Sequence, residues 1–259
     1  MPTLRTLALP AVLISTSACY QHVRRDAPSE PGPLPRGELV SVSSAELIRG
    51  DMNGEPHEYP EKRIRIKAFR IEKTEVTNAA YNACVEARAC DPAPFADTED
   101  FGGADRPVVG VTWIDAKKFC EWIGRRLPTE AEWELAAKGT DNRKWPWKGP
   151  FEAKRANVRG EMDGFRHTAP VGSFSAGTSP YGALDMSGNV AEWVADYFDP
   201  MYYRTGKETS DPTGPSEGRD RVVRGGSYSD TSYECRVSFR GGRSPTEVDS
   251  TVGFRCASE

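Results

Sequence analysis

Arg126-Leu127-Pro128-Thr129-Glu130-Ala131-Glu132-Trp133-Glu134 opens a helix by chemistry that is visible in the letters alone. Thr129 and Glu132 stand at the spacing where a threonine hydroxyl and a glutamate carboxylate each take one free N–H group at a helix start. The run continues through Ala137, and Gly139 ends it. Upstream, Thr112 precedes Trp113, Ala116, Cys120 and Ile123, while Thr77 begins a run in which Tyr81, Cys84 and Val85 share a face. Both runs predict amphipathic helices. Downstream of residue 140 no periodic segment runs longer than about six residues, and Gly, Pro, Asn and Asp recur at close intervals. That half reads as short strands and long ordered loops. Their backbone polar groups need partners, so disulfides and bound cations are expected there more than in a helical bundle.

Composition fits this division. The 259 residues suffice for one or two domains. With 24 Gly and 20 Pro the chain exceeds the ~12% of average usage and turns often. Six Trp, nine Tyr and ten Phe still supply a core, which excludes a disordered or collagen-like chain. Basic and acidic residues, 34 and 38, are mixed without long runs and leave a net charge of −4, so there is no electrostatic footprint for nucleic acid. His22, His57 and His167 lie outside helical spacing of one another and do not suggest a zinc site. No internal repeat is visible, and Arg49-Gly50-Asp51 reads as a chance tripeptide, not an adhesion motif.

Residues 1–18 are an address. Arg5 is followed by Leu7-Ala8-Leu9-Pro10-Ala11-Val12-Leu13-Ile14 and then by the small residues Ser15-Thr16-Ser17-Ala18 before Cys19. A basic start, a short apolar run and small residues make an export signal. The run is far below the ~18 residues needed to span a bilayer. The segment leading into Cys19 resembles a bacterial lipobox, where the thiol is acylated, although Thr16 departs from the usual apolar residue. The alternative is ordinary cleavage at the same bond. Pro28, Pro31, Pro33 and Pro35 make residues 19–37 a semi-extended tether, ahead of a single domain at 38–259. An exported bacterial protein of the periplasm or outer-membrane surface, anchored to the membrane by lipid, is the expectation.

Export changes how the remaining cysteines are read. Outside a reducing cytosol, Cys84, Cys90, Cys120, Cys235 and Cys256 form a disulfide set before a metal set, with one left over. Cys84 and Cys90 are too far apart on a continuous helix, but Pro92 and a turn around Ala89 can end the helix early enough to pair them. The alternative, a zinc knuckle, lacks a second pair or a nearby His.

Five blocks occur in order: Thr74-Glu75-Val76-Thr77-Asn78, the helix-opening stretch above, Gly188-Asn189-Val190-Ala191-Glu192-Trp193, Arg224-Gly225-Gly226-Ser227-Tyr228 and Gly253-Phe254-Arg255. Together they resemble the sulfatase-modifying factor family, typified by formylglycine-generating enzyme. The resemblance covers about residues 38–259. It implies one α/β domain of the C-type-lectin-like, formylglycine-generating-enzyme kind, with little regular secondary structure. It also implies a Cys120–Cys256 bridge, and a second bridge whose positions are Ala137 and Arg240, both without cysteine here.

Two calcium loops follow from the same resemblance. Asn157, Val158, Asp163 and Phe165 match one, through two side chains and two main-chain carbonyls. Asp185, Gly188, Val190 and Glu192 match the other. Oxygen donors of these kinds suit a hard cation. The plainer alternative is that Asp163 and Glu192 only cap turns.

The resemblance breaks at catalysis. The founding enzyme oxidises a substrate cysteine to formylglycine with molecular oxygen, using two cysteines that bind copper(I). Those positions are Asp230 and Cys235 here, and a carboxylate is a hard ligand, poor for copper(I). Ala191 stands where the family often has Trp, and Thr251 where it usually has Asn. Ser227 remains, a hydroxyl with no base in sight that also fits a turn. Cys235 reads either as a buried structural thiol or as a reactive one. Two classes stay open. One is a binding or structural module without formylglycine-generating activity, whose ligand is an exported protein, peptide or glycan. The other is a diverged oxidase acting on an exported substrate.

Overall fold

The computed structural model describes residues 34–160 and 162–259. The expected signal segment, Cys19 and most of the tether lie outside the described residues. Residues 34–37 lie on the domain, where Arg36 Nε donates to Ile123 O at 2.9 Å and Gly37 N donates to Glu72 Oε1 at 3.2 Å.

The first half begins with β1 (Leu39–Val42), β2 (Ala45–Arg49), β3 (Lys62–Ile66) and β4 (Phe69–Glu72), followed by α1 (Asn78–Glu86), α2 (Trp113–Trp122) and α3 (Glu130–Lys138). Each of the three helices starts where a threonine hydroxyl accepts a free N–H: Thr77 from Ala80, Thr112 from Asp115 and Thr129 from Glu132. At α3 the reciprocal bond from Glu132 is also made. The second half holds β5 (Ala191–Phe198), the short α4 (Tyr202–Thr205), β6 (Asp220–Arg224), β7 (Arg240–Arg243), β8 (Val252–Phe254) and β9 (Ala257–Ser258). β4 lies between β1 and β9, β2 pairs with β3, and a four-stranded sheet runs β7-β6-β5-β8. All pairings are antiparallel except β5 with β8, where Trp193 lies opposite Phe254.

β5 is longer than any periodic segment expected after residue 140. It sits between two cores and is buried on both faces, so it carries no polar–apolar alternation. Trp193 enters one core with Tyr81, Phe119 and Phe254, whereas Val194 enters the other with Leu47, Ile64 and Trp133. In the first core Phe119 stacks on Tyr81 with ring centroids 5.6 Å apart and meets Phe254 edge-on at 5.5 Å.

Both expected bridges are formed, Cys84–Cys90 with Cα atoms 5.3 Å apart and Cys120–Cys256 at 5.6 Å. α1 stops at Glu86 and Arg88 takes a left-handed conformation, which turns the chain back so that Cys90 N donates to Cys84 O. Cys120–Cys256 ties α2 to the segment between β8 and β9 across 136 residues. On the chain-entropy estimate, closing a loop of that length contributes about 5 kcal/mol. The Arg49-Gly50-Asp51 tripeptide is anchored inward: Arg49 is 2% exposed and lies 4.0 Å from the Tyr203 ring centroid.

Candidate functional site

Residues from separate blocks meet beneath the sheet. Arg255 donates Nε to Glu192 Oε2 and Nη2 to Glu192 Oε1, each at 2.7 Å, and Trp133 Nε1 adds a third donor to Oε2 at 2.9 Å. Glu192 thus caps no turn; it is the partner of a buried guanidinium and keeps one acceptor position on Oε1. Asn189 donates to Glu75 Oε1 at 2.8 Å and accepts from Asn157 Nδ2 at 3.1 Å. Asp185 lies near enough to Glu75 for its charge to act on that carboxyl. Three buried carboxylates, Glu75, Asp185 and Glu192, therefore surround one cation, Arg255. Desolvation, and then the Asp185 charge, push the Glu75 carboxyl well above its usual range; burial likewise raises Asp185. Glu75 Oε2 has no hydrogen-bond partner although it is buried.

The first loop touches this cluster through Gly188. A Cβ there would lie 2.1 Å from Asn157 O, so only glycine allows the approach, and the Asn189 N–H donates to that same carbonyl at 2.8 Å. Asn157 Oδ1 is buried without a partner. Asp163 does cap its turn: its carboxylate accepts from Val158 N and Phe165 N, each at 3.0 Å. Among the described residues no three His, Cys, Asp or Glu side chains form a metal-holding group. Any cation here would draw on amide and main-chain oxygens as well as carboxylates, the mixed donor set that Ca²⁺ accepts.

The positions of the family's copper pair lie beside Ser227. Cys235, the free cysteine among the described residues, is 0% exposed and packs with Trp145, Trp147, Ala156 and Val158. Gly226 covers it so closely that a Cβ on that residue would lie 2.6 Å from the sulfur. Burial, followed by the charges of Asp230 and Glu234, pushes the thiol well above its ordinary range, which removes the thiolate that reacts or binds soft metals. The Asp230 carboxylate is taken up by Ser227, accepting from its Oγ at 2.7 Å and its N at 2.9 Å. Ser227 thus has a carboxylate partner invisible in sequence, yet it is fully buried.

Tyr228 N donates to Asn189 O, and Ala191 N to Thr251 O, both at 2.9 Å, which joins the other two departures from the family pattern, Ala191 at the start of β5 and Thr251 just before β8. Beside Asp230 a groove of about 260 Å³ is lined by Phe151, Val158, Asp163, Thr231 and Ser232, not by Cys235.

Sequence reasoning found the blocks but missed Glu75, Asn189, Arg255 and Trp133 as one cluster. Their signal was membership in the ordered blocks, since each of the four lies in one of them.

The sulfatase-modifying factor enzyme 1-like domain pattern matches residues 26–259. A formylglycine-generating enzyme of Streptomyces coelicolor is 32% identical over 302 residues, covering 90% of this chain and 94% of that one. A protein named serine/threonine-protein kinase pkn1, from Chlamydia pneumoniae, is 33% identical over 97% of this chain, which spans only 43% of that longer relative. Among solved structures, PvdO from Pseudomonas aeruginosa superposes with a TM-score of 0.76 at 27% identity, covering 87% of this chain and 95% of its own.

Proposed function

The chain belongs to the sulfatase-modifying factor enzyme 1-like family, and on that premise we propose that it is an exported, lipid-anchored member that generates no formylglycine and acts as a binding or structural module. Cys235 is the observation that carries this reading. Copper(I) needs two soft thiolates, whereas here one position is a carboxylate held by Ser227 and the other a thiol sealed under Gly226. A buried, protonated thiol neither ligates copper nor exchanges with a substrate thiol. Cys235 and Ser227 are then structural residues of the loop.

Calcium belongs to the same proposal. Asn157 Oδ1, the Val158 and Phe165 carbonyls and Asp163 hold one ion; Asp185, the Gly188 and Val190 carbonyls and Glu192 hold the other. The orphaned Asn157 oxygen supports the first, and the surplus negative charge around Arg255 supports the second. A divalent cation there offsets the desolvation that otherwise raises Glu75 and Asp185. Bound calcium joins loops that share few apolar contacts.

The ligand of such a module is an exported protein, peptide or glycan, met at the periplasmic or outer-membrane surface where Cys19 would tether the domain. Nucleic acid is not a partner on the charge argument.

The test is to incubate the reduced domain with copper(I), oxygen and a Cys-x-Pro-x-Arg peptide and to look for aldehyde by mass spectrometry. None should form. Catalytic aldehyde would make the chain a diverged oxidase. Anchoring has its own arm: fatty-acid label should enter the wild type and not Cys19→Ala, and unlabelled wild type would end the lipid proposal.

A further inference from the structure

A larger cavity, of about 370 Å³, lies among β3, α2, the start of α3 and β5, and none of the calcium or copper positions lines it. We infer that it binds a neutral saccharide of one or two rings. The apolar part of its wall is Ile66, Trp113, Leu127 and Ala195. Trp113 is half-buried and held in one orientation, its Nε1 donating to Val194 O at 2.7 Å and its ring carrying the Arg221 guanidinium 3.7 Å from the centroid. Arg221 is in turn 3.4 Å from the Tyr197 centroid, so the indole is fixed before any ligand arrives. A rigid aromatic surface of this kind suits the C–H face of a sugar ring and costs little entropy to organise.

Charge decides the ligand's class. Every cation lining the cavity already has its counter-ion: Arg126 is bidentate with Glu132 at 2.7 Å, Lys67 is paired with Asp211 at 3.3 Å, and Lys117 with Glu121. An anionic or cationic ligand would have to compete with a bond already made. A purely apolar ligand would cover these pairs and give nothing back for their lost water. A polyhydroxylated neutral molecule does neither, because each hydroxyl can donate to a paired carboxylate and accept from a paired ammonium or guanidinium. The volume lies in the ordinary range of small-molecule sites, about 300 to 1,000 Å³.

This inference does not depend on whether the Cys235 region is inactive, so the peptide assay and the saccharide test fail separately. Maltose, cellobiose and diacetylchitobiose are titrated into the mature chain by calorimetry, with saturation-transfer NMR as the second readout. At least one should bind, with the sugar C–H protons receiving saturation. Trp113→Ala should weaken it about tenfold or more. Ala68→Trp, on an exposed residue lining the cavity, should block it with the tryptophan platform intact. Melting curves confirm that both variants fold. Chelator should leave binding unchanged, since the cavity contains no calcium position. Failure of all three sugars to bind at millimolar concentration overturns the inference, as does binding that survives Ala68→Trp or that requires calcium.

Discussion

Arg240 stands at one of the two positions where the family resemblance implies a second disulfide, with Ala137 at the other, and both are fully buried. In place of a covalent bond Arg240 clasps Glu130, Nε to Oε1 at 2.7 Å and Nη2 to Oε2 at 2.8 Å, while Arg224 reaches the same carboxylate at 3.4 Å. Breaking such a pair strands a buried charge, so Arg240→Met should cost about 3–5 kcal/mol in denaturant unfolding. A loss under about 1 kcal/mol would mean that Glu130 does not depend on this partner. Nearby, burial and the Glu130 charge push Asp196 up to about 8. Its folded value exceeds the ~3.9 of an unfolded Asp, so the folded chain binds the extra proton. Stability from this group is therefore undiminished at low pH and falls as pH rises from about 4 to about 8. Asp196→Asn keeps an acceptor for the Glu130 N–H, 2.8 Å away in the wild type, but cannot ionise. Its melting temperature should fall less than wild type's between those limits, and parallel curves would refute the assignment. In sequence Arg240 showed only as a missing cysteine; its partner Glu130 is 110 residues away.

Among elements, α3 was the most legible and β5 the least. The capping box of α3 is local, two residues three apart that satisfy each other wherever the helix packs: Glu132 N to Thr129 Oγ1 at 3.2 Å and Thr129 N to Glu132 Oε2 at 2.8 Å. Thr129→Ala should lose about 1 kcal/mol and Thr129→Ser almost none, measured by urea unfolding. Equal losses would show that the methyl group, not the hydroxyl, matters. β5 had no such signature. Its Glu192 and Asp196 interrupt an apolar run and read as loop residues, because the donors that allow their burial, Arg255, Trp133 and the N–H of Glu130, come from other parts of the chain.

At the scale of the molecule, the loops between α3 and β5 have little core of their own, apart from Trp145, Trp147, Ala156 and Val158. Calcium held only by the folded state stabilises it by RT ln(1 + [L]/Kd), about 2.7 kcal/mol at a hundredfold excess. Chelator should lower the melting temperature. Asp163→Ala should shrink that chelator shift beyond any loss from its two turn bonds, whereas an unchanged shift would remove the first site. Glu192→Ala is a poor probe, because it would strand Arg255 whether or not an ion is present.

The sequence by itself determined what is short-range or ordered along the chain: three threonine-capped helices, a Cys84–Cys90 turn, the ordered blocks and the absence of a second copper-type cysteine. These depend on neighbours within a few residues, or on identity alone. Tertiary structure decided whether Cys235 is reachable, where the Asp230 carboxylate turns, and that Glu75, Asp185 and Glu192 share one arginine. Those properties come from desolvation and from partners more than a hundred residues apart in some cases, Asn189 with Glu75 among them. Burial can raise a thiol or a carboxyl far from its ordinary range only once the chain has closed around it.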